Sequence, residues 1–123
     1  MKLQKLISKL EKHHKKKLDL SLGRTFNLLK KLGNPQDKLR NVITVVGTNA
    51  KASMCYSLKS ILNQAGYKTN LYTSPHLLSY TERYVFDDTE INEEDLIELL
   101  TGVEKTLGDD NATLFEILTC AFL

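Results

Sequence analysis

The chain has 123 residues, of which 41% are hydrophobic and 26% charged, and its formal net charge is +2. These values are ordinary for one globular domain in water, and no apolar run is long enough to cross a bilayer. No secretory signal follows Met1, and two cysteines provide neither a disulfide framework nor a metal quartet. We therefore expect a cytoplasmic protein without a membrane partner.

The small net charge conceals an asymmetry along the chain. Residues 1–40 contain 12 lysines and arginines against 3 acidic residues, whereas residues 41–123 contain 5 against 12. Part of the positive charge lies in the run Lys12–Lys17, which is typical of a solvated helix end. Binding of nucleic acid by this run is the alternative, and it predicts an affinity that falls as salt rises. We favour the solvated helix end and expect no nucleic-acid partner.

Two helices are predicted before residue 40. Apolar residues at 3-4 spacing indicate an amphipathic first helix, and they are Leu3, Leu6, Ile7 and Leu10. The second helix is predicted to begin at Ser21 as its N-cap and to end at Gly33, where GNPQD indicates a turn. Its apolar positions are Phe26, Leu28, Leu29 and Leu32.

A strand, a loop, a helix and a second strand are predicted between residues 41 and 74. Asn41–Val46 is a β-branched run typical of a buried parallel strand, and Tyr67–Ser74 alternates like a second strand. The helix between them runs from Lys51 to a C-cap at Gly66. Its apolar positions are Met54, Leu58, Ile61, Leu62 and Ala65. This order predicts an α/β fold with a parallel sheet flanked by helices.

The rest of the chain is predicted to be a loop, a short strand and two helices. Residues 73–83 indicate an ordered loop of the kind that often carries function, and residues 84–88 indicate a short strand. One helix has Asn92 as its N-cap and ends at Gly108, and another follows from about Leu114. Because no cap follows Leu123, we expect the sequence to stop inside a larger domain.

The loop VVGTNAKAS, between the first predicted strand and its helix, has the chemistry of a phosphate site. There the backbone N–H groups and the helix dipole converge on an anion, and Lys51 adds a positive charge. Its polar side chains are Thr48, Asn49 and Ser53. The full pattern GxxxxGKS/T is absent, since Val45 and Ala50 stand at its glycine positions. By itself the loop is equally compatible with a phosphate site and with an ordinary strand-helix turn.

Four stretches of the chain, taken in order, match known patterns. They are LDLSLGRTFNLLKKLGNPQDKL, VVGTNAKAS, AGYKTNLYTSPHLLSYTER and TLFEILTCAF. Together they resemble the bifunctional dihydrofolate synthase and folylpolyglutamate synthase family, relatives of the Mur ligases, whose loop reads GTNGKGS and whose next motif contains YTSPHL. The resemblance covers residues 18–123 almost without a gap.

The resemblance implies an ATP- and Mg²⁺-dependent ligase that joins L-glutamate to dihydropteroate or folate through an acyl phosphate. It also implies a basic helical segment on the substrate side over residues 1–40. Residues 41–123 would then be the first part of a Mur-ligase-like P-loop ATPase domain, truncated at its C-terminal end. We expect the protein to be a monomer.

The resemblance also implies roles for individual residues. The residues that would hold the triphosphate, with Lys51 also catalytic, are Gly47, Thr48, Asn49, Ala50, Lys51 and Ser53. The residues that would contact the pteroate substrate are Lys17, Leu18, Asp19 and Thr113. Ser74 would be a magnesium ligand. Two interpretations stay open for His76, Glu82 and Arg83, which would either shape their loop or approach the substrate. The alternative for Glu82 and Arg83 is a local ion pair that contributes little. Glu116 is assigned no role.

Two departures from the family pattern affect the functional prediction. Ala50 and Ala52 replace the two loop glycines, and a positive φ at Ala50 would strain the loop by about 1 kcal/mol. We favour a variant that keeps function, and the alternative is a non-catalytic nucleotide-binding module derived from such a ligase. The family's chain is several times longer, so we expect these 123 residues alone not to turn over.

Overall fold

The computed structural model of the protein describes residues 2–13 and 21–123, apart from the side chain of residue 13. Its α-helices are α1 (Lys2–His13), α2 (Gly23–Lys31), α3 (Lys51–Gln64), α4 (Glu93–Leu107) and α5 (Leu114–Phe122). Its strands are β1 (Asn70–Tyr72), β2 (Tyr84–Phe86) and β3 (Thr89–Glu90). Short 3₁₀ helices cover Pro35–Lys38 and Tyr80–Arg83. The predicted α/β class is confirmed.

The chain forms two compact units. One combines residues 1–40 with residues 93–123, and the other consists of residues 41–92. In the part of the chain that the structure describes, no helix has both the length and the apolar character needed to span a bilayer. The predicted domain division into residues 1–40 and 41–123 stays a prediction.

The first unit is helical, and its core comes from one face of each helix. α4 packs against α1, α2 and α5. The side chains with no exposed surface at its centre are Leu10, Leu28, Leu96, Leu100 and Ile117. In α1 the buried positions Leu3, Ile7 and Leu10 follow the predicted 3-4 spacing. The helices predicted from apolar periodicity are therefore confirmed in this unit.

Two details of α2 differ from the prediction. Ser21 is not the N-cap, because the first helical hydrogen bond runs from Phe26 N to the carbonyl oxygen of Leu22 at 2.9 Å. Leu22 is thus the cap residue. Phe26, which was predicted to lie on the apolar face of the helix, is 58% exposed, whereas Leu28 and Leu29 are buried. Of the four predicted apolar positions of α2, Phe26 is therefore the one that lies on the exposed side of the helix.

The second unit contains α3 and an antiparallel sheet of three strands in the order β1-β2-β3. Leu71 pairs with Val85, and Val85 pairs with Glu90. β2 and β3 are joined by the two-residue turn Asp87–Asp88, whose φ angles of 43° and 68° match the twist of a tight hairpin. The predicted strand at residues 84–88 is confirmed over Tyr84–Phe86.

The predicted parallel strand Asn41–Val46 is not formed, and a parallel sheet is not confirmed. Val42, Ile43 and Val46 are 67%, 60% and 84% exposed. A buried parallel strand needs hydrogen-bonded neighbours and cover on both faces. The described residues provide only the antiparallel sheet β1-β2-β3, so these β-branched side chains have no such cover here.

The helix predicted from Lys51 is confirmed, but its predicted apolar face is not buried. Met54 is 53% and Ile61 64% exposed, whereas Lys59 is buried and its Nζ contacts the Asp88 carboxylate. The C-cap residue is Ala65, one position before the predicted Gly66, and Gly66 is the glycine that follows the cap. Gly66 has φ 89°, a left-handed conformation that glycine adopts without strain, and the next amide bonds back to the Leu62 carbonyl oxygen at 3.0 Å.

Candidate functional site

The loop Gly47–Ala50 turns the chain into the first turn of α3. Ala50 is the N-cap residue, with φ 58° and ψ 15°, and its carbonyl oxygen accepts from Met54 N at 3.0 Å. The first turn of α3 contains no acidic residue. Its first amide groups have no acceptor within the helix, so they and the positive end of the helix dipole are directed out of the helix end. This geometry suits an anion with oxygen acceptors.

Ala50 adopts the left-handed conformation that the loop pattern normally assigns to glycine. A Cβ in this region is strained by about 1 kcal/mol relative to glycine. The loop nevertheless adopts the turn with alanine in place. Ala52 lies inside α3, where alanine is the preferred residue. Alanine is therefore unfavourable for the backbone conformation at position 50 and favourable for the one at position 52.

This difference predicts opposite effects of glycine at the two positions. Ala50→Gly is expected to raise the free energy of unfolding by about 0.5–1 kcal/mol, because the strain at positive φ is removed. Ala52→Gly is expected to lower it by about 0.5–1 kcal/mol, because glycine is unfavourable in a helix. Urea unfolding of the two variants measures both changes. Shifts of the same sign would contradict the backbone assignment at Ala50.

Lys51 is the first residue of α3 and folds back over the loop. Its Nζ donates to the Gly47 carbonyl oxygen at 2.7 Å, in a contact that is exposed to solvent. A phosphate oxygen is a stronger acceptor for an ammonium group than a neutral carbonyl. The side chain can therefore exchange one acceptor for the other without losing a buried contact. Thr48, Asn49 and Ser53 are also exposed on this loop and first turn.

The segment 74–83 is ordered by the Glu82 carboxylate. This carboxylate accepts from three consecutive backbone N–H groups, those of Leu77 at 2.8 Å, Leu78 at 2.7 Å and Ser79 at 2.7 Å. These donors, Leu77 N–H above all, hold the pKa of Glu82 below its ordinary value. The Ser79 hydroxyl completes a capping box at the 3₁₀ helix. Of the two interpretations left open for Glu82, the structure supports the one in which it shapes the loop.

Arg83 joins the same segment from the other side. Its side chain is buried, and Nε donates to His76 Nδ1 at 2.9 Å while Nη1 donates to Ser74 Oγ at 3.2 Å. The guanidinium carbon lies 5.1 Å from the centre of the Tyr80 ring, whose centre is 4.2 Å from that of the His76 ring. Burial and the Arg83 charge lower the pKa of His76. Arg83 and His76 therefore also shape the loop that carries Ser74.

The amide contacts of Glu82 predict a measurable change in the dynamics of its loop. In Glu82→Gln the neutral side chain accepts more weakly, so hydrogen exchange at the amides of Leu77, Leu78 and Ser79 should accelerate on the order of tenfold. Hydrogen exchange followed by NMR resolves these three amides. Glu94→Gln, at an exposed acid in α4, is the control and should leave them unchanged. Unaltered exchange in Glu82→Gln would show that another contact orders the loop.

Thr113 and Glu116 form a second capping box, at the start of α5. Thr113 Oγ1 accepts from Glu116 N at 3.2 Å, and Thr113 N donates to Glu116 Oε2 at 2.8 Å. The same carboxylate accepts from Arg24 Nε at 3.1 Å and from Arg24 Nη2 at 2.8 Å. Burial alone would raise the pKa of Glu116, but donation from Arg24 and from the Thr113 N–H holds it below its ordinary value. Glu116, which had no predicted role, thus connects α2 to α5.

The predicted site residues fall into three groups by position. The phosphate-loop residues and Ser74 lie in the unit of residues 41–92, whereas Thr113 lies in the other unit. Lys17, Leu18 and Asp19 lie outside the described residues. Both capping boxes carry the S/T-x-x-E signal and could have been found from the sequence. The contact between Arg24 and Glu116 has no such signal, because 92 positions separate the two residues.

Ser74 has the chemistry of one magnesium ligand. Its hydroxyl oxygen has two lone pairs, of which one accepts from Arg83. Mg²⁺ prefers oxygen ligands and usually keeps several waters beside substrate phosphates. Among residues 2–12 and 21–123 no three His, Cys, Asp or Glu side chains lie together as a metal site. Ser74 therefore fits an ion held mainly by phosphate and water, and its assignment as a ligand stays a prediction.

Comparison with known proteins gives consistent matches, although no protein-family model matches the chain. The chain is 39% identical over 117 residues to the dihydrofolate synthase/folylpolyglutamate synthase of Escherichia coli K12, covering 95% of this chain and 28% of that protein. The structure of E. coli FolC in complex with DHPP and ADP superposes with a TM-score of 0.84 at 38% identity, over 97% of this chain and 28% of that one. A bifunctional folylpolyglutamate synthase/dihydrofolate synthase with Mn, AMPPNP and L-glutamate bound gives 0.83 at 34% identity, with coverage of 97% and 28%. The chain thus spans little more than a quarter of the length of these relatives.

Proposed function

Because the chain belongs to the dihydrofolate synthase/folylpolyglutamate synthase family, we propose that the protein uses ATP to join L-glutamate to dihydropteroate or folate. The observation that carries the proposal is the loop Gly47–Lys51, in which alanine takes the left-handed turn and Lys51 begins α3. ADP, AMPPNP and L-glutamate in complexes of the solved relatives support the same substrates.

The reaction class explains why the loop has these groups. Transfer of the γ-phosphoryl group of ATP to the substrate carboxylate forms an acyl phosphate, and the amine of glutamate then displaces phosphate to form the amide. The first step brings anions together, so it needs donors that are already in place. The amides of Gly47–Lys51 would hold the phosphates, with Thr48, Asn49 and Ser53 around them. Lys51 Nζ would leave the Gly47 carbonyl for a phosphate oxygen.

Magnesium would be held on the Ser74 side of the site. Bound there, Mg²⁺ would neutralise charge on the phosphate oxygens, which is its ordinary role in phosphoryl transfer. The residues of this chain then have two tasks. Ser74 offers one oxygen ligand, and the segment 74–83 keeps that oxygen in place through Glu82 and Arg83.

On the substrate side we assign Lys17, Leu18, Asp19 and Thr113. Thr113 Oγ1 already accepts the Glu116 N–H, and its hydroxyl also hydrogen-bonds the Glu116 carboxylate, so one lone pair of this oxygen remains to accept from a substrate donor. The capping box would fix the direction of that lone pair. The ion pair between Arg24 and Glu116 would in turn keep the start of α5 against α2.

We also assign the run Asn41–Val46 to a parallel strand of a P-loop ATPase domain in the whole protein. Its exposed β-branched side chains and its position directly before the anion loop support this. We further propose that the protein works as a cytoplasmic monomer. The free thiols of Cys55 and Cys120 suit a reducing compartment.

The test is a ligation assay on the full gene product that carries this sequence. With ATP, Mg²⁺, L-glutamate and either dihydropteroate or a folate, we expect ADP, phosphate and a product one glutamate longer. Omitting the pteroate or folate should abolish ADP formation. Binding of Mg-ATP without any ligation would overturn the proposal and favour the non-catalytic nucleotide-binding module. The 123-residue chain alone, assayed in parallel, is expected not to ligate glutamate.

A further inference from the structure

The segment 74–83 contains a buried arginine whose contacts converge on Ser74. Arg83 is 8% exposed, which is unusual for an arginine, and its guanidinium contacts Ser74, His76 and the Tyr80 ring together. The two hydrogen bonds span seven and nine positions of the chain. A side chain that donates to two residues of one loop and packs on a third fixes the geometry of that loop.

The contact with His76 determines where the proton of the imidazole lies. A guanidinium has only N–H donors, so His76 Nδ1 must be the acceptor in the 2.9 Å contact with Arg83 Nε. The ring proton is therefore on Nε2. The Tyr80 ring packs against both His76 and Arg83 and limits rotation of each.

The contact with Ser74 acts on the predicted metal ligand. Nη1 of Arg83 occupies one lone pair of Ser74 Oγ at 3.2 Å and leaves the second for another partner. The hydroxyl is otherwise free to rotate about its own bond, as serine hydroxyls are. Donation from a buried, stacked guanidinium restricts this rotation and so sets the direction of the remaining lone pair.

We propose that Arg83 is a positioning residue: it fixes the Ser74 hydroxyl toward the divalent ion and holds the His76 ring in the tautomer with its proton on Nε2. This inference rests on the proposed function, in which Ser74 contacts that ion. It differs from a purely structural role because it predicts a change in ion affinity and in the tautomer, both at unchanged fold. Residues that orient metal ligands typically affect affinity by about 10–100-fold.

The experiment measures Mn²⁺ binding to the full gene product saturated with ADP, with free Mn²⁺ followed by electron paramagnetic resonance. Arg83→Lys keeps the charge and the stem but loses the two-pronged donation, so we expect the Kd for Mn²⁺ to rise about tenfold or more. Ser74→Ala should weaken binding similarly, and Arg83→Lys added to Ser74→Ala should have little further effect. Arg40→Lys, at an exposed arginine, is the matched control and should leave the Kd unchanged.

The second readout is the tautomer of His76, measured by ¹⁵N NMR of the imidazole in the absence of metal. The parent protein should show the single Nε2–H form, and Arg83→Lys should show a mixture of the two tautomers. Circular dichroism confirms that each variant is folded, and Arg83→Gln repeats both readouts if the lysine variant is not. Unchanged or tighter Mn²⁺ binding in a folded Arg83 variant would overturn the proposal.

These measurements separate the inference from the proposed function. Arg83-dependent Mn²⁺ binding without ligation would leave the positioning role standing while the ligase proposal fails. Ligation together with unchanged Mn²⁺ affinity in Arg83→Lys would leave the ligase proposal standing while the positioning role of Arg83 fails. Absence of Mn²⁺ and ADP binding in the folded parent protein would overturn both.

Discussion

Glu116→Gln is expected to lower the free energy of unfolding by about 2–3 kcal/mol at neutral pH, somewhat less than the loss of one partner from a fully buried ion pair. The side chains of Arg24 and Glu116 are only 15% and 13% exposed, so removing the carboxylate takes the Glu116 charge away from a largely buried guanidinium. The same substitution weakens the acceptor for the Thr113 N–H at the start of α5. Urea unfolding followed by circular dichroism measures the change.

Glu98→Gln is the matched control, since Glu98 is an exposed helical acid in the same unit. It is expected to change stability by less than about 0.5 kcal/mol. A Glu116→Gln variant as stable as this control would show that the pair with Arg24 contributes nothing. The double variant Arg24→Leu/Glu116→Gln should lose less than the sum of its single changes, because the two side chains contact each other and each single change already breaks that contact.

The lowered pKa of Glu116 gives this prediction a pH dependence. A carboxyl group whose pKa is lower in the folded than in the unfolded state stabilises the fold above its unfolded value and loses this contribution as pH falls. The ordinary value is 4.5, so the difference between the parent and Glu116→Gln should be full at neutral pH and shrink below about pH 4.5. A difference that grows on acidification would contradict the assignment.

The elements that were predicted correctly are those whose pattern is local. α1, α4 and α5 each place apolar residues on one face at 3-4 spacing, and each buries that face. The run Asn41–Val46 has an equally clear pattern, but a parallel strand depends on partners far along the chain. Here the sheet instead forms from β1 and β2 with a tight hairpin at Asp87–Asp88. The sequence of residues 41–46 therefore favours a strand, but it does not determine whether neighbouring strands are present to bond to it.

The candidate site shows the same division between local and distant determinants. Gly47–Lys51 could be predicted because a strand-like run, a glycine and a lysine at a helix start lie together in sequence, and the family resemblance assigned their chemistry. A positive φ at Ala50 is expected only if the loop adopts the turn of the family's phosphate site, and the structure has this positive φ. The role of Arg83 depends on which side chains meet in the folded loop. A single sequence carries no signal for that beyond the motif itself.

Lys51→Ala is expected to weaken Mg-ATP binding by the full gene product about 10–100-fold, the loss of one charge-assisted contact to phosphate. The ligation rate should fall by about 100-fold or more, because the charge that develops during phosphoryl transfer loses a donor. Calorimetric titration measures the first effect and the release of ADP the second. Since Lys51 Nζ contacts only an exposed carbonyl oxygen among the described contacts, stability should change by less than about 0.5 kcal/mol.

Two controls separate a phosphate contact from a general effect of positive charge. Lys68→Ala removes an exposed lysine from the same unit and should leave both binding and ligation unchanged. Lys51→Arg keeps the charge but changes its shape and reach, so it should recover part of the binding and little of the ligation rate. If the folded Lys51→Ala variant binds Mg-ATP as tightly as the parent, then the start of α3 does not hold the triphosphate. The loop would in that case be an ordinary turn into a helix, whose lysine serves only to donate to the Gly47 carbonyl oxygen.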